Sequence, residues 1–411
     1  MRIRRLSLYV ASAALAIQCA ASAAPVTPPP VGTTLKQAVD NAWQRAPGAR
    51  MLEARQDEVA AARTLAGSWL ASAPTLGLSQ RADLGTSERD QRDQRESEIS
   101  VSSSIWLPGQ KNARQELAAR STEEVTAHIG ATRLAVAGVV RNRVWEAAAA
   151  QVTLDEKQDH LHHLEGFAEE VQRRVKAGDL ARSDFLLAQQ EVLAARIDVL
   201  HARTAATEAL ARYRVLTGLE QLPPFEPEAL HERAAPANPR LAAALASEQR
   251  AHAALRLAEA SRSAPPTVAL SVRREDERTL REPTRSIGIA LQIPLGSAGR
   301  NRGVEAQAQT LIATAAAEAA EAQASAGADV DIARERLLNA RAALDTASER
   351  ATALHEHTAL FEKAFQQGER GLAELLRSRA LTHEADVAVA QQQVALGLAH
   401  AQLNQALGIL P

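Results

Sequence analysis

The residues in this chain best suited to chemistry are histidines, and they come in two short clusters. His160, His162 and His163 form H-L-H-H, and His355 and His357 form H-E-H. Imidazole suits soft or borderline divalent ions, so these five are the candidate metal ligands. His160 and His163 share a helix face at i,i+3, but no acid is set beside them by spacing, and histidines on an exposed helix are ordinarily solvated. Catalytic motifs are missing: there is no nucleophile elbow, phosphate loop or metalloprotease helix signature. The chain therefore reads as a non-enzyme that needs no cofactor.

The single cysteine, Cys19, lies in an N-terminal stretch with the layout of a secretory signal. Arg2, Arg4 and Arg5 precede an apolar run from Leu6 to Ile17, and Ala21-Ser22-Ala23 supplies a small-x-small cleavage site. Residues 1–24 are expected to be removed, which would leave no thiol and no disulfide. Gln18 ahead of Cys19 argues against lipidation there. Taking those three arginines from the 47 basic residues leaves 44 against 49 acidic, a balance of about −5. That offers no basic patch for nucleic acid.

Elements long enough to carry the clusters are implied by composition. Aromatics are only 3% of 411 residues, while Ala, Leu, Glu, Gln and Arg dominate, the profile of long helices packed through small residues. After the signal no run approaches 18 apolar residues, so no helix is expected to span a bilayer, and insertion would have to use strands.

Taken in order, residues 25–33 form a Pro-rich leader, and Thr34 caps a helix through about Ser72 that Pro47 interrupts. Two stretches of alternating apolarity follow, Thr75 to Arg81 and Ser97 to Trp106, so a β-hairpin is expected over 75–106 around the charged loop E-R-D-Q-R-D-Q-R-E. A helix without proline runs over 110–177, about 100 Å at 1.5 Å per residue, with Val140, Val144, Leu161, Leu164 and Val171 among its three-four seam positions. The turn at Gly178 ends it, and Ser183 is the expected cap of a return helix over 183–217.

A proline-containing linker covers 218–237, and the plan then repeats across 238–411. The second copy has a helix from Asn238-Pro239, a hairpin over 267–293 around R-E-D-E-R-T-L-R-E, a long helix over 300–367 and a return helix over 372–408. The tip segments G-D-L-A-R-S-D-F-L-L-A and G-E-R-G-L-A-E-L-L-R-S align, so residues 34–217 and 238–411 read as a tandem duplication. Four strands cannot close a membrane barrel alone; a protomer must share them.

This layout resembles the TolC-like outer-membrane efflux family over essentially the whole mature chain. The resemblance rests on the repeated order of elements, on the corners W-L-P-G-Q-K-N-A-R and I-P-L-G-S-A-G-R-N-R-G, and on G-x-x-x-x-S-D at the first tip. It implies a mainly α fold with a small β part: a homotrimer whose protomers contribute four strands each to a twelve-stranded outer-membrane barrel, above a periplasmic coiled-coil tunnel. It also implies contact with outer-membrane lipid and with a periplasmic adaptor that couples the duct to an inner-membrane pump of the resistance-nodulation-division type. The R-N-R-G corner and the histidines are similar to the cobalt-zinc-cadmium branch, which would make the cargo a heavy-metal cation.

By the same resemblance, Asp184 and Arg370 fall where some relatives latch neighbouring coils, Glu374 matches a pore-lining acid, and Arg377 stands where some relatives carry a second acid. Phe365 replaces a hydrogen-bonding tyrosine. Gly178, Leu180, Ser183, Gly368 and Leu372 fall on the adaptor-docking tips. Trp106 is the one aromatic expected near a membrane interface, so the usual aromatic girdle is nearly absent. The contrasting expectation is a soluble periplasmic coiled-coil scaffold or adaptor that never inserts.

Overall fold

The computed structural model describes residues 33–82, 94–230, 238–277, 282–296 and 298–411. The expected signal and all but the last residue of the expected leader, most of the two charged loops, residues 231–237 of the linker and Ser297 lie outside them.

Helix α1 (Leu35–Arg45) opens on a reciprocal cap: Thr34 Oγ1 accepts from the Gln37 amide at 3.2 Å, and Gln37 Oε1 accepts from the Thr34 amide at 3.0 Å. Pro47 starts α2 (Pro47–Gly67), where a missing amide hydrogen costs nothing. This helix stops five residues short of the Ser72 expected from sequence, which leaves Trp69 80% exposed on a short irregular segment.

Strands β1 (Thr75–Ala82), β2 (Gln94–Ser104), β3 (Thr267–Glu277) and β4 (Thr284–Gln292) form one antiparallel sheet in chain order. Its register lines up Leu78 with Ile99, Ile99 with Val272 and Val272 with Ile287, so one face is continuously apolar. That face is the exposed one: Leu78, Ile99, Val272 and Ile287 are all at least half exposed, while Glu96, Glu98, Ser100 and Ser102 on the opposite face are half-buried. β2 and β3 run further into the charged stretches than alternation suggested. Arg273 bonds Glu96 at 2.8 Å and Glu98 at 3.2 Å across the ladder, so these charges are paired and need no loop. Trp106 lies beyond β2, not in it; its Nε1 donates to the Ser68 carbonyl at 3.0 Å.

Two very long helices, α3 (Gln110–Ala177) and α6 (Ala298–Gln366), pair with α4 (Arg182–Thr217) and α7 (Leu372–Ala406) as two antiparallel coiled coils. Helix α5 (Pro239–Ala260) packs between α3 and α6, as α2 packs on α3. Where α3 crosses α7, Trp145 is buried against Gly397; a Cβ there would sit 1.9 Å from the indole, so only glycine fits. Nearby, the buried Arg141 is held by both carboxylate oxygens of Glu228 at 2.8 and 2.7 Å and by Gln405 at 2.7 Å, which pins the linker to both coils.

Candidate functional site at the helical tips

Both tips end a long helix in the same way. Gly178 takes φ +90° and Gly368 takes φ +78°, left-handed conformations that a side chain would strain. The following amide folds back in each case: Asp179 donates to the Arg174 carbonyl and Glu369 to the Ala364 carbonyl, both at 2.9 Å. The return helices then start at Ala181 and Gly371, their N-caps. Ser183 is therefore not the cap; the helix begins one residue before it, so it sits exposed inside the first turn of α4, and Asp184 accepts from the Ala181 amide at 3.1 Å.

Asp184 and Glu374 occupy equivalent places three residues into their helices, yet they are used differently. Glu374 accepts from Arg370 at 3.2 Å, an i,i+4 pair in which both side chains are about half exposed. The Arg370 guanidinium also lies 5.4 Å from the centre of the Phe361 ring. Arg377, one turn on, is exposed and bonds to nothing among the described residues. Thus Arg370 and Glu374 meet, while Asp184 and Arg377 stand apart from them and from each other.

The assigned docking residues separate as well. Gly178 and Gly368 are exposed, and Leu180 is half-buried. Leu372 is only 4% exposed and belongs to the tip core with Leu164, Phe167, Val171, Phe365 and Leu375. As the first residue of α7, it packs into the core that both coils share and presents little free surface in this conformation. Two cation–aromatic contacts unite the coils here: Arg174 of α3 over Phe365 of α6 at 5.6 Å, and Arg379 of α7 over Phe167 of α3 at 4.1 Å. Arg379 is also bonded to Glu362. No local pattern marks Arg379, whose ring partner lies on a different coil.

The five histidines do not assemble. His355 Nε2 is 2.8 Å from Asp386, His357 Nδ1 is 3.0 Å from Ser378, and His162 and His163 keep their ring centres 6.2 Å apart. His160 stacks instead on His383, with centres 3.8 Å apart and planes at 6°. Among the described residues no group of three or more His, Cys, Asp and Glu side chains is placed to hold a metal ion. Stacked face to face, two imidazoles aim their nitrogens along the rings' edges and not at a common point. His160, His163, His355 and His383 do line one groove of about 900 Å³ between α3, α6 and α7.

No family model matches the sequence, and no curated protein matches it. Solved structures do. The outer membrane protein VceC from Vibrio cholerae superposes with a TM-score of 0.72 over 92% of this chain and 96% of its own, at 17% identity. The CmeC outer membrane channel of Campylobacter jejuni gives 0.72 over 91% and 85%, at 14% identity. CusC, a protein that undergoes transmembrane channel formation, gives 0.74 over 92% and 93%, at 15% identity. Helical rods, four-stranded sheet and paired tips together are the fold of these outer-membrane channels.

Proposed function

We propose that this chain is the outer-membrane exit duct of a tripartite efflux or secretion system, passing solute from a periplasmic adaptor and inner-membrane pump to the exterior. One observation carries the reading: the sheet is inside out. Its apolar face is exposed, the ion-paired face of β2 and β3 is half-buried, and β1 and β4 each leave an edge unpaired. In water such a sheet is an aggregation template. In lipid it is the wall of a barrel, provided that other copies close the edges. Three copies would give twelve strands, and the exposed Val304 and Leu311 of α6 supply apolar surface for a neighbouring protomer.

No helix among the described residues is long and apolar enough to cross a membrane, so strands alone would insert. Trp69, at the base of the sheet, is suited to the membrane–water interface, where an amphipathic ring is favoured. At the other end, Arg370 and Glu374 serve as latch and pore-lining acid, Asp184 and Arg377 are further charges of the gate, and the turns carrying Gly178, Leu180, Ser183 and Gly368 meet the adaptor. A heavy-metal cargo was suggested by the histidine clusters, and the duct reading does not depend on it.

Fractionation tests the reading. A heat-modifiable trimer in the outer-membrane fraction that forms steady pores in a planar bilayer is the expected result. A soluble periplasmic monomer without conductance would replace it with the scaffold.

A further inference from the structure

The His160–His383 stack is used by none of this. It joins α3 of the first coiled coil to α7 of the second, one turn above Leu164 and the tip core. Both rings are about half-buried, and His383 Nε2 is shut away from solvent with no hydrogen-bond partner. A neutral imidazole tolerates that position, because its bare nitrogen has no hydrogen to place. An imidazolium does not, since both of its nitrogens must donate.

We propose that this stack is an acid-released clasp: neutral rings hold α3 against α7, and a proton on either ring parts the two coils above the tips.

The surroundings favour neutral rings. Lys157 on α3 is the nearby cation, bonded to Asp198 of α4 at 3.0 Å. The acids that would neutralise a new charge are engaged: Asp386 of α7 by His355 of α6, Glu384 of α7 by Arg350 of α6, and Glu362 of α6 by Arg379 of α7. Glu156 of α3 has its own carboxyl pushed up, by burial first and then by Asp386, Asp159 and Asp155. Asp159 and His163 are exposed on α3, and Glu191 is half-buried on α4. Burial, then His383, Lys157 and His163, push His160 down to about 4, against a smaller upward pull from Asp198. Burial and Lys157 push His383 down too.

The open form, with its rings in water, titrates near the ordinary histidine value and so binds more protons than the closed form between about pH 6.5 and 4. Closure is fully favoured above that window and is lost as pH falls through it. For His160 alone, moving from pH 7.5 to 5 shifts the balance toward opening several-fold per protomer, solvent at the half-exposed ring keeping it below the roughly 30-fold of an unscreened shift. That this would widen a periplasmic duct rests on the function proposed above; the clasp itself does not.

Spin labels on Gln158→Cys of α3 and Gln391→Cys of α7, both exposed positions, report the separation directly. The purified full-length protein is measured with labelled chain diluted in excess unlabelled chain. The distance is expected to lengthen between pH 7.5 and 5, and to stop responding in H160Q/H383Q. An unchanged distance in the parent chain, or an undiminished response in the double variant, overturns the clasp. Should the glutamines disturb the coil at pH 7.5, H160F keeps a ring for stacking and removes its proton; an undiminished acid response there overturns the clasp as well. Bilayer conductance is recorded in parallel. A lengthened distance in a protein that never conducts supports the clasp and removes the duct.

Discussion

The two tips share a backbone and differ in what holds them. At the first, the restraint is local and covalently close: Asp184 caps the Ala181 amide, so the turn is fixed by hydrogen bonds to main chain. At the second, the equivalent Glu374 leaves the main chain alone and takes Arg370, an exposed side-chain pair that also leans on Phe361. A capped amide is worth about 1 kcal/mol, whereas an exposed i,i+4 pair is worth about 0.2–0.5 kcal/mol, less with the arginine on the N-terminal side. One tip is thus set and the other is cheap to rearrange. A tunnel mouth that must open would move at the second.

The largest effect should come from what the tips have in common. Leu375 is 1% exposed in the core that both coils share. Leu375→Ala should cost about 2–5 kcal/mol through lost burial and a cavity, and should erase the difference between tips by loosening both. Limited proteolysis is the check: cleavage should rise at both turns. Cleavage confined to the second tip would mean that the coils fold there independently. Next come the turns. Gly178→Ala and Gly368→Ala each place a Cβ at positive φ for about 1–2 kcal/mol, with no clash because neither has an atom within 4 Å of the new methyl. Equal losses in thermal unfolding would establish that the tips diverge after the turn, not in it.

How much of this was legible in sequence follows from the range of each interaction. The span of α3 was readable because its stops are local: Gly109 and Gly178 both take positive φ, and no proline intervenes. Strand alternation was equally local. The ends of β2 and β3 were not, since whether Glu96 is loop or ladder depends on Arg273 far along the chain. His383 escaped notice for the same reason. It stands alone in L-T-H-E-A, and only the register of α3 on α7 brings it over His160. Leu372 failed in the other direction: an apolar residue beside a turn looks available for a partner until the second coil is in place to bury it. Ser183 is not the cap because α4 begins one residue before it, with Asp184 bonding back to the Ala181 amide, a boundary that residue preference alone does not decide.

The smallest expected effects discriminate best between the tips. Asp184→Ala removes the acceptor for the Ala181 amide and should cost about 1 kcal/mol, seen as faster amide exchange in the first turn of α4, with conductance unchanged. Arg370→Ala removes only the pair with Glu374 and the contact with Phe361, so thermal unfolding should shift by no more than about 1 kcal/mol. Its single-channel conductance should nevertheless rise. Freed of its partner, Glu374 presents an unbalanced carboxylate once per subunit, and a ring of such carboxylates attracts cations, so cation selectivity should rise with it. A stable Arg370→Ala protein with parental conductance would show that the exposed pair is not the latch. An Asp184→Ala protein that leaks as much would show that the set tip moves too.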